Sequence, residues 1–594
     1  MLARCFLITL LFVLYILPVH AQWSVKEGYP VPKGREHNFN VFTETEWNAS
    51  NFASKKNMKW FEDARYGMFM CFGLSTYIGK DLSWQMCYTH KLPDGGRGPI
   101  PDSVWVTYPQ HLVFEKFDAT KLVETAKQAG MKYIVVVAKH HDGFHLWDTK
   151  YSDFKITNTP YGKDYLKEIA DACHVGGMKF GIYYSQRDWY HPDYMPVDTS
   201  LVVRISKPPF YKAKEGVTQV KPGLNHQKYI NYQFNVVREL CTNYGKVDVF
   251  WFDALWYGGM FTAEMWDAER LTTMIRQLQP EIIINNRTSV PGDYDTPEQR
   301  IGMYQQRPWE SCMTLNHTWS WSNTPTKSKT ELIKLLTATA TGNGNMLMSW
   351  GPKWDGEFDS LQVSRLEEVG DWLKKFGNTM YSTKGGPWYP AKWGGATYRN
   401  NKAFVHITDL SLKELILPAL PNTIISVKCI TGGNVTYKKA ADEWIFDLSN
   451  AGHGNESVIV EINFKNPVKG MVDKDNKQSI FSDPSYGSTI FKKDAVNSIK
   501  NKVVIDIASV QLVTGLSINN IKTFPNVLFT IKTSADNKNW NTVVDKQVAK
   551  NNWEIPVLDF KSGAQVPGIN TRYISIQSTK PFACNGLSVL GKNK

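Results

Sequence analysis

Four short apolar runs in the first half of the chain each end abruptly in polar side chains, and this pattern restricts the fold more than any other feature. Tyr133 to Ala138 runs into Lys139-His140-His141-Asp142, and Lys179 to Tyr184 into Ser185-Gln186-Arg187-Asp188. Val247 to Phe252 runs into Asp253, and Glu281 to Ile284 into Asn285-Asn286-Arg287. A fifth run, Met346 to Ser349, is similar in composition. Runs this continuous are typical of strands buried on both faces, which belong to parallel sheets. Helical patterns lie between them, among them Ala119 to Ala129, Leu166 to Val175 and Tyr232 to Asn243, so residues 60–380 read as repeated βα units. In a closed barrel of parallel strands, the C-terminal strand ends form the catalytic face, where polar groups distant in sequence converge. A doubly wound sheet would also gather ligand groups at strand ends, but we find no Gly-rich phosphate turn of the kind that accompanies it. The expected fold is α/β, a (β/α)8 barrel.

After about residue 385 helical periodicity gives way to short alternating strands such as Ala403 to Ile407, Ile424 to Ile430 and Ser457 to Ile462, the pattern of a β-sandwich. Beyond Asn466 a polar stretch leads to Val503 to Ile507, Phe529 to Ser534 and Arg572 to Ile576, again strand-like. A chain of 594 residues exceeds what one core serves. The expected division is a barrel at 22–384, a β-sandwich at 385–466 and a second β-sandwich at 467–594. Residues 1–21 read as a cleaved signal peptide, with Arg4, an apolar run from Cys5 to Pro18 and the small-residue site Val19-His20-Ala21. That run is too short to span a membrane. A secreted protein, periplasmic or extracellular, is expected.

Seven cysteines follow the leader, an odd number with no CxxC pair, which fits neither a disulfide scaffold nor a zinc site. No metal or cofactor is expected. The formal charge of +12 is spread along the chain without a Lys/Arg run, so it gives no reason to expect nucleic acid. The 21 tryptophans are more telling, because sugar rings present apolar C–H faces that stack on flat side chains. An oligosaccharide or polysaccharide is the expected partner.

Cleaving a glycosidic bond with retention needs two carboxyl groups about 5 Å apart, one to attack the anomeric carbon and one to protonate the leaving oxygen. Asp253, delivered by an apolar strand into a polar cleft, suits the first role; a helix cap is the plain alternative. Several segments resemble glycoside hydrolase family 29, the α-L-fucosidases. They are Trp60 to Phe69, Ala129-Gly130-Met131-Lys132-Tyr133, Lys139 to Phe144, Gly181-Ile182-Tyr183-Tyr184-Ser185, Trp251-Phe252-Asp253 and Gly351-Pro352. The resemblance implies that Asp253 is the nucleophile. It also implies that His140, His141, Tyr184, Trp251 and Arg287 line the sugar pocket, the histidines bonding hydroxyls and Arg287 lying beside Asp253. The family draws its acid/base from a variable loop. Glu298, in Asp295-Thr296-Pro297-Glu298, matches the spacing of one fucosidase branch, and Glu310, in Trp309-Glu310, is the alternative. A loop glutamate desolvated by closure of the pocket would have the raised pKa an acid needs.

Two departures bear on the sugar. Cys71-Phe72-Gly73 stands where the family usually has His-Trp-Gly, and Ser83-Trp84 where it has Glu-Trp, so Cys71 and Trp84 occupy sugar-binding positions with one imidazole and one carboxylate lost. The segment between His191 and Tyr232 carries Arg204, Lys207, Lys212, Lys214 and Lys221, which could receive a sulfate or carboxylate. The expected activity is removal of terminal α-L-fucose or a closely related α-L-sugar. The alternatives are an α-L-galactosidase acting on galactan oligosaccharides, with or without sulfate, and an inactive carbohydrate-binding protein. The last region resembles a discoidin (F5/8 type C) module, which implies a carbohydrate-binding role.

Overall fold

The computed structural model describes residues 50–87, 98–194, 202–204, 211–213, 225–253, 266–288, 290–299, 301, 304, 307–440, 442–452, 456–471, 488–493, 496–497, 501–519, 521, 527–548, 553–556, 569–584 and 586–592. The expected leader and Lys207, Lys214 and Lys221 lie outside the described residues, as do the side chains of Arg204 and Lys212. Among the described residues no helix is long and apolar enough to cross a membrane.

Seven parallel strands form a curled sheet: β1 (Tyr66–Met70), β2 (Tyr133–Lys139), β3 (Lys179–Ser185), β4 (Val249–Asp253), β5 (Ile283–Ile284), β6 (Glu310–Thr314) and β7 (Asn345–Trp350). Their spatial order is β6-β7-β1-β2-β3-β4-β5. The gap between the outer strands β5 and β6 is spanned by residues 293–299. Parallel bridges join Asn285 to Tyr294, Asp295 to Trp309 and Glu298 to Cys312. This irregular segment is the eighth stave, so the wall closes into the expected barrel. Five of the staves coincide with the apolar runs; β1 and β6 lie outside them. Packed around the barrel are α1 (Lys55–Ala64), α2 (Ala119–Gln128), α3 (Tyr165–Gly176), α4 (His226–Thr242), α5 (Ala268–Leu278), α6 (Lys329–Thr341) and α7 (Ser360–Phe376). Asp118, Asp164, Asn225, Ser328 and Asp359 each accept a first-turn N–H at a helix start, supplying acceptors that the helix itself cannot.

Alternation along the strands sorts side chains into two layers. Phe69, Tyr133, Val135, Val137, Tyr183, Val249, Trp251, Ile283, Cys312 and Leu347 fill the barrel. Met68, Ile134, Val136, Ile182, Tyr184, Phe250, Phe252 and Met348 pack outward under the helices. Gly67 is required by this interior, because a Cβ there would lie 2.3 Å from the Tyr133 ring. A register shift between Val137 and Lys139 places a bulge at the end of β2. Ala138 packs in the outer layer and Lys139 lies over the outward Tyr184 ring. Two successive outward residues invert the alternation, so the next residue, His140, faces inward.

Antiparallel sheets follow the barrel. A five-stranded sheet (Lys384–Gly385, Gly394–Arg399, Lys402–Ile407, Val458–Phe464, Ile424–Cys429) and a three-stranded one (Glu414–Pro418, Glu443–Asp447, Thr436–Ala440) share a core that includes Trp388, Val405, Leu417, Trp444 and Val460. Ile459 points the other way and joins the barrel's outer layer. The last sheet orders Ser488–Lys493, Gly586–Lys592, Lys502–Asn519, Ile569–Ser578, Leu528–Ser534 and Asn541–Val548 over a separate core that includes Leu516, Phe529, Ile574 and Val589.

Candidate active site

Asp253 is the last residue of β4, and the period of two that turns Val249 and Trp251 into the barrel brings Asp253 to the same side at the C-terminal mouth. Only 5 % of it is exposed. Its carboxylate accepts from Tyr183 Oη at 2.6 Å and from Arg287 Nη1 at 2.9 Å. Arg287 lies over the Trp251 ring, 4.6 Å from its centroid, and is held by Thr296 through Nε to Oγ1 and Nη2 to O, both at 3.0 Å. Burial opposes the guanidinium charge, but Asp253 and then Glu298 outweigh it and raise the Arg287 pKa. Burial also raises the Tyr183 pKa far above its ordinary value, and the Asp253 charge adds to the effect. The phenol therefore stays protonated and donates to Asp253.

Glu298 belongs to the eighth stave. Its Oε2 accepts from Arg287 Nη2 at 3.1 Å, so one guanidinium spans the two carboxylates. Desolvation raises the Glu298 pKa; Arg287 opposes the shift and Asp253 reinforces it. With 42 % of its side chain open at the pocket mouth, Glu298 is also within reach of water, which screens these charges.

Glu310 is placed quite differently. It opens β6, at the end of the strand away from the catalytic face, and is fully buried. It accepts from the Tyr133 hydroxyl and, at 2.9 Å, from Trp251 Nε1. Desolvation pushes its pKa up to about 7, but it does not line the pocket. The alternative acid/base is thus corrected to an interior carboxyl that fixes the Trp251 indole.

The pocket is lined by Asp253, Arg287 and Glu298, by His140, His141, Trp84, Tyr183 and Trp251, and by the apolar Phe69, Leu82, Val137, Cys312 and Trp319. Burial pushes the His140 pKa down to about 3, and lowers that of His141 well below its ordinary value with help from His140, Arg187 and Lys139. Both rings are neutral. Ser83 Oγ accepts the Asp142 N–H at 3.1 Å and lies 2.6 Å from His140 Nδ1, which fixes the His140 ring whichever of the two carries the shared proton, since a hydroxyl has one donor and two acceptor sites. Ser185 Oγ donates to Arg187 O at 3.0 Å and lies 2.6 Å from His141 Nδ1, so Nδ1 is the donor and Nε2 keeps a lone pair. Each neutral imidazole has one donor and one acceptor nitrogen, and the two adjacent rings both line the pocket. Trp84 stands edge-on to His141 at 5.1 Å and 77°. Ligand atoms of His140, His141 and Asp253 lie within 4.8 Å of one another, but the Asp253 oxygens are already shared by Tyr183 and Arg287, with which a cation would compete.

Two expected pocket residues are corrected. Tyr184 faces the helices, and its strand neighbour Tyr183 faces the pocket; alternation along β3 separates them. Cys71 is fully buried within the barrel and does not line the pocket, where Cys312 does. Phe69, Leu82, Val137 and Trp319 were also missed. Apolar wall residues carry no motif, but the inward parity of Trp251 extends across the Tyr183 to Trp251 pairing and could have identified Tyr183.

A family described as alpha-L-fucosidase matches residues 36–378. The plasma alpha-L-fucosidase of Homo sapiens is 26% identical over 352 residues, covering 54% of this chain and 69% of that protein. The solved alpha-L-fucosidase isoenzyme 1 from Paenibacillus thiaminolyticus is 29% identical, with a TM-score of 0.58 over 69% of this chain and 99% of its own. The alpha-L-fucosidase from Vibrio sp. strain EJY3, at 20% identity, shares the fold with a TM-score of 0.60 over 92% of this chain and 99% of its own.

Proposed function

The chain belongs to the α-L-fucosidase family, and on that premise we propose that it removes terminal α-L-fucose by double displacement, with Asp253 as nucleophile and Glu298 as acid/base. The observation that carries this reading is the bridging of both carboxylates by Arg287 in one pocket, which keeps them close, as a retaining mechanism with its separation of about 5 Å requires. Asp253 attacks the anomeric carbon while Glu298 gives its proton to the departing oxygen. A covalent fucosyl-Asp253 ester forms. Glu298, now a carboxylate, takes a proton from water, which attacks the same carbon and frees the sugar with its configuration retained. His140 and His141 would hold neighbouring hydroxyls in place.

The apolar lining from Leu82, Val137, Cys312 and Trp319 favours a 6-deoxy sugar, whose methyl group it would cover, over L-galactose, whose extra hydroxyl it would leave unbonded. Such a pocket rejects an added hydroxyl only by about 100-fold, so α-L-galactoside is expected as a poor substrate. Rates on matched 4-nitrophenyl α-L-fucoside and α-L-galactoside test this, with the released anomer followed by NMR. Preference for the fucoside with retention is the expected result. Turnover of neither would favour a carbohydrate-binding protein, and preference for the galactoside would overturn the choice of sugar.

Residues 1–21 are read as an export signal and the last sheet as a discoidin-like carbohydrate-binding module, readings that rest on sequence pattern. A cleaved signal would deliver the enzyme to the periplasm or the outside of the cell, and a carbohydrate-binding module would suit a glycan substrate there.

A further inference from the structure

Beside the pocket, two loops run outward together, both leaving the C-terminal ends of barrel strands. One follows β1 and includes the short helix Leu74–Ile78; the other follows β6. They are stitched together by Trp319 N to Asp81 Oδ1 at 2.8 Å and by Ser320 Oγ to Lys80 O at 2.9 Å. Leu82 and Trp319 end this pair inside the pocket. Two residues beyond Trp319, Trp321 packs on Gly79, where an added Cβ would be 3.8 Å from the indole. Beyond Gly79, Tyr77 is 42% exposed. Its ring lies parallel to His111 at 5.4 Å and 8°, and 5.0 Å from Trp354 in the loop after β7. Trp354 is fixed in turn by Nε1 to His111 O at 3.0 Å.

These rings line three neighbouring loops beside the pocket and form an aromatic rim there. Glu298 is the group assigned to protonate the leaving oxygen, and it lines the same pocket as Leu82 and Trp319 at the inner end of the rim. The rim therefore starts where a leaving group would emerge. The loop charges are mixed, with Lys353 paired to Glu357 at 2.8 Å and Lys116 to Asp355 at 2.7 Å, which gives an anion no preferred seat. Flat, partly exposed rings with balanced charge suit the C–H faces of neutral sugars.

We propose that Trp321, Tyr77 and Trp354 form a leaving-group track that binds the neutral sugars next to the departing residue. This inference rests on the reaction proposed above. The test compares kcat/KM for 4-nitrophenyl α-L-fucoside with kcat/KM for a neutral tetrasaccharide ending in α-L-fucose, in the wild type, Trp321→Ala, Tyr77→Ala and Tyr77→Phe, each checked for its thermal transition. In both alanine variants the tetrasaccharide-to-aryl ratio should fall about tenfold, mainly through KM, the scale of losing an aromatic anchor from an interface. Tyr77→Phe, which keeps the ring, should restore the ratio. Should Trp321→Ala fail to fold, Tyr77→Ala at the exposed end carries the same comparison. An unchanged ratio in the folded variants would overturn the track and leave the reaction standing. A wild type that cleaves neither substrate would overturn both.

Discussion

Asp253 and Glu298 share Arg287 yet differ in surroundings, and the difference suits the separate roles proposed for them. Asp253 is enclosed and receives two donors, whereas Glu298 lies at the mouth with its pKa raised mainly by desolvation. A general acid must hold its proton, so activity should fall as pH rises through the Glu298 pKa, above the ordinary carboxylate range. Glu298→Gln should lose that limb. It should also slow cleavage of a poor leaving group by about 10²- to 10⁴-fold, and of an activated aryl fucoside far less; equal losses on both would remove Glu298 from the role. Tyr183→Phe deletes a hydrogen bond to a charged group, worth about 1.5–3 kcal/mol, and should lower kcat/KM by roughly ten- to 100-fold, whereas Tyr184→Phe should be near wild type. Glu310 affects stability instead. Its folded pKa of about 7 exceeds the ordinary value of about 4.3, so between those values the folded state keeps a proton that the unfolded chain has lost. Stability should therefore decline as pH rises through that window, by about 4 kcal/mol in all. Glu310→Gln should flatten that share of the decline in urea titrations.

Among the elements, the eighth stave decides whether the site exists. Residues 293–299 close the barrel and carry Glu298, and they are anchored at Asp293, which accepts from Arg276 Nη2 at 2.8 and 3.0 Å, from Ile284 N at 2.7 Å and from Ala53 N at 2.7 Å. Asp293→Ala would leave Arg276 without its buried partner and should cost about 3–5 kcal/mol by chemical denaturation, with activity falling alongside. This stave was not legible as a strand, because Pro297 and Gly292 interrupt any strand pattern and its bridges are isolated. Nor was β1, whose inward positions include Gly67, or β6, which mixes Glu310, Ser311 and Thr314 with apolar residues. The continuous runs at β2, β3, β4 and β7 were legible because both faces of those strands are buried. The polar strand ends placed His140, His141, Asp253 and Arg287 in one cleft. What the sequence could not supply was parity. The bulge at the end of β2 has no composition signal, and Tyr183 and Tyr184 look alike until one knows which face each occupies.

At the scale of the molecule, the three sheet systems differ in how they depend on one another. The last sheet has a core sharing no residue with the other clusters, so a chain ending at Met471 should keep the barrel's unfolding transition and its activity on an aryl fucoside. The middle sandwich is tied in by Ile459, by Lys329 to Glu456 at 2.9 Å and by the Thr397 hydroxyl on Thr379 O. Ending the chain at Gly385 should expose that surface and cost at least about 2 kcal/mol in barrel stability. The fold thus sets a rigid barrel mouth as the place of reaction and adds the β regions at its periphery. The chemistry proposed for this mouth is a covalent ester on Asp253. The most direct test is to incubate the enzyme with 2-deoxy-2-fluoro-α-L-fucosyl fluoride, whose fluorine slows hydrolysis of the ester, and to sequence the labelled peptide by mass spectrometry. A 2-fluorofucosyl adduct on Asp253, absent in Asp253→Asn, is the predicted result. An adduct on another carboxylate, or none from an enzyme that cleaves the aryl fucoside with inversion, would contradict the account.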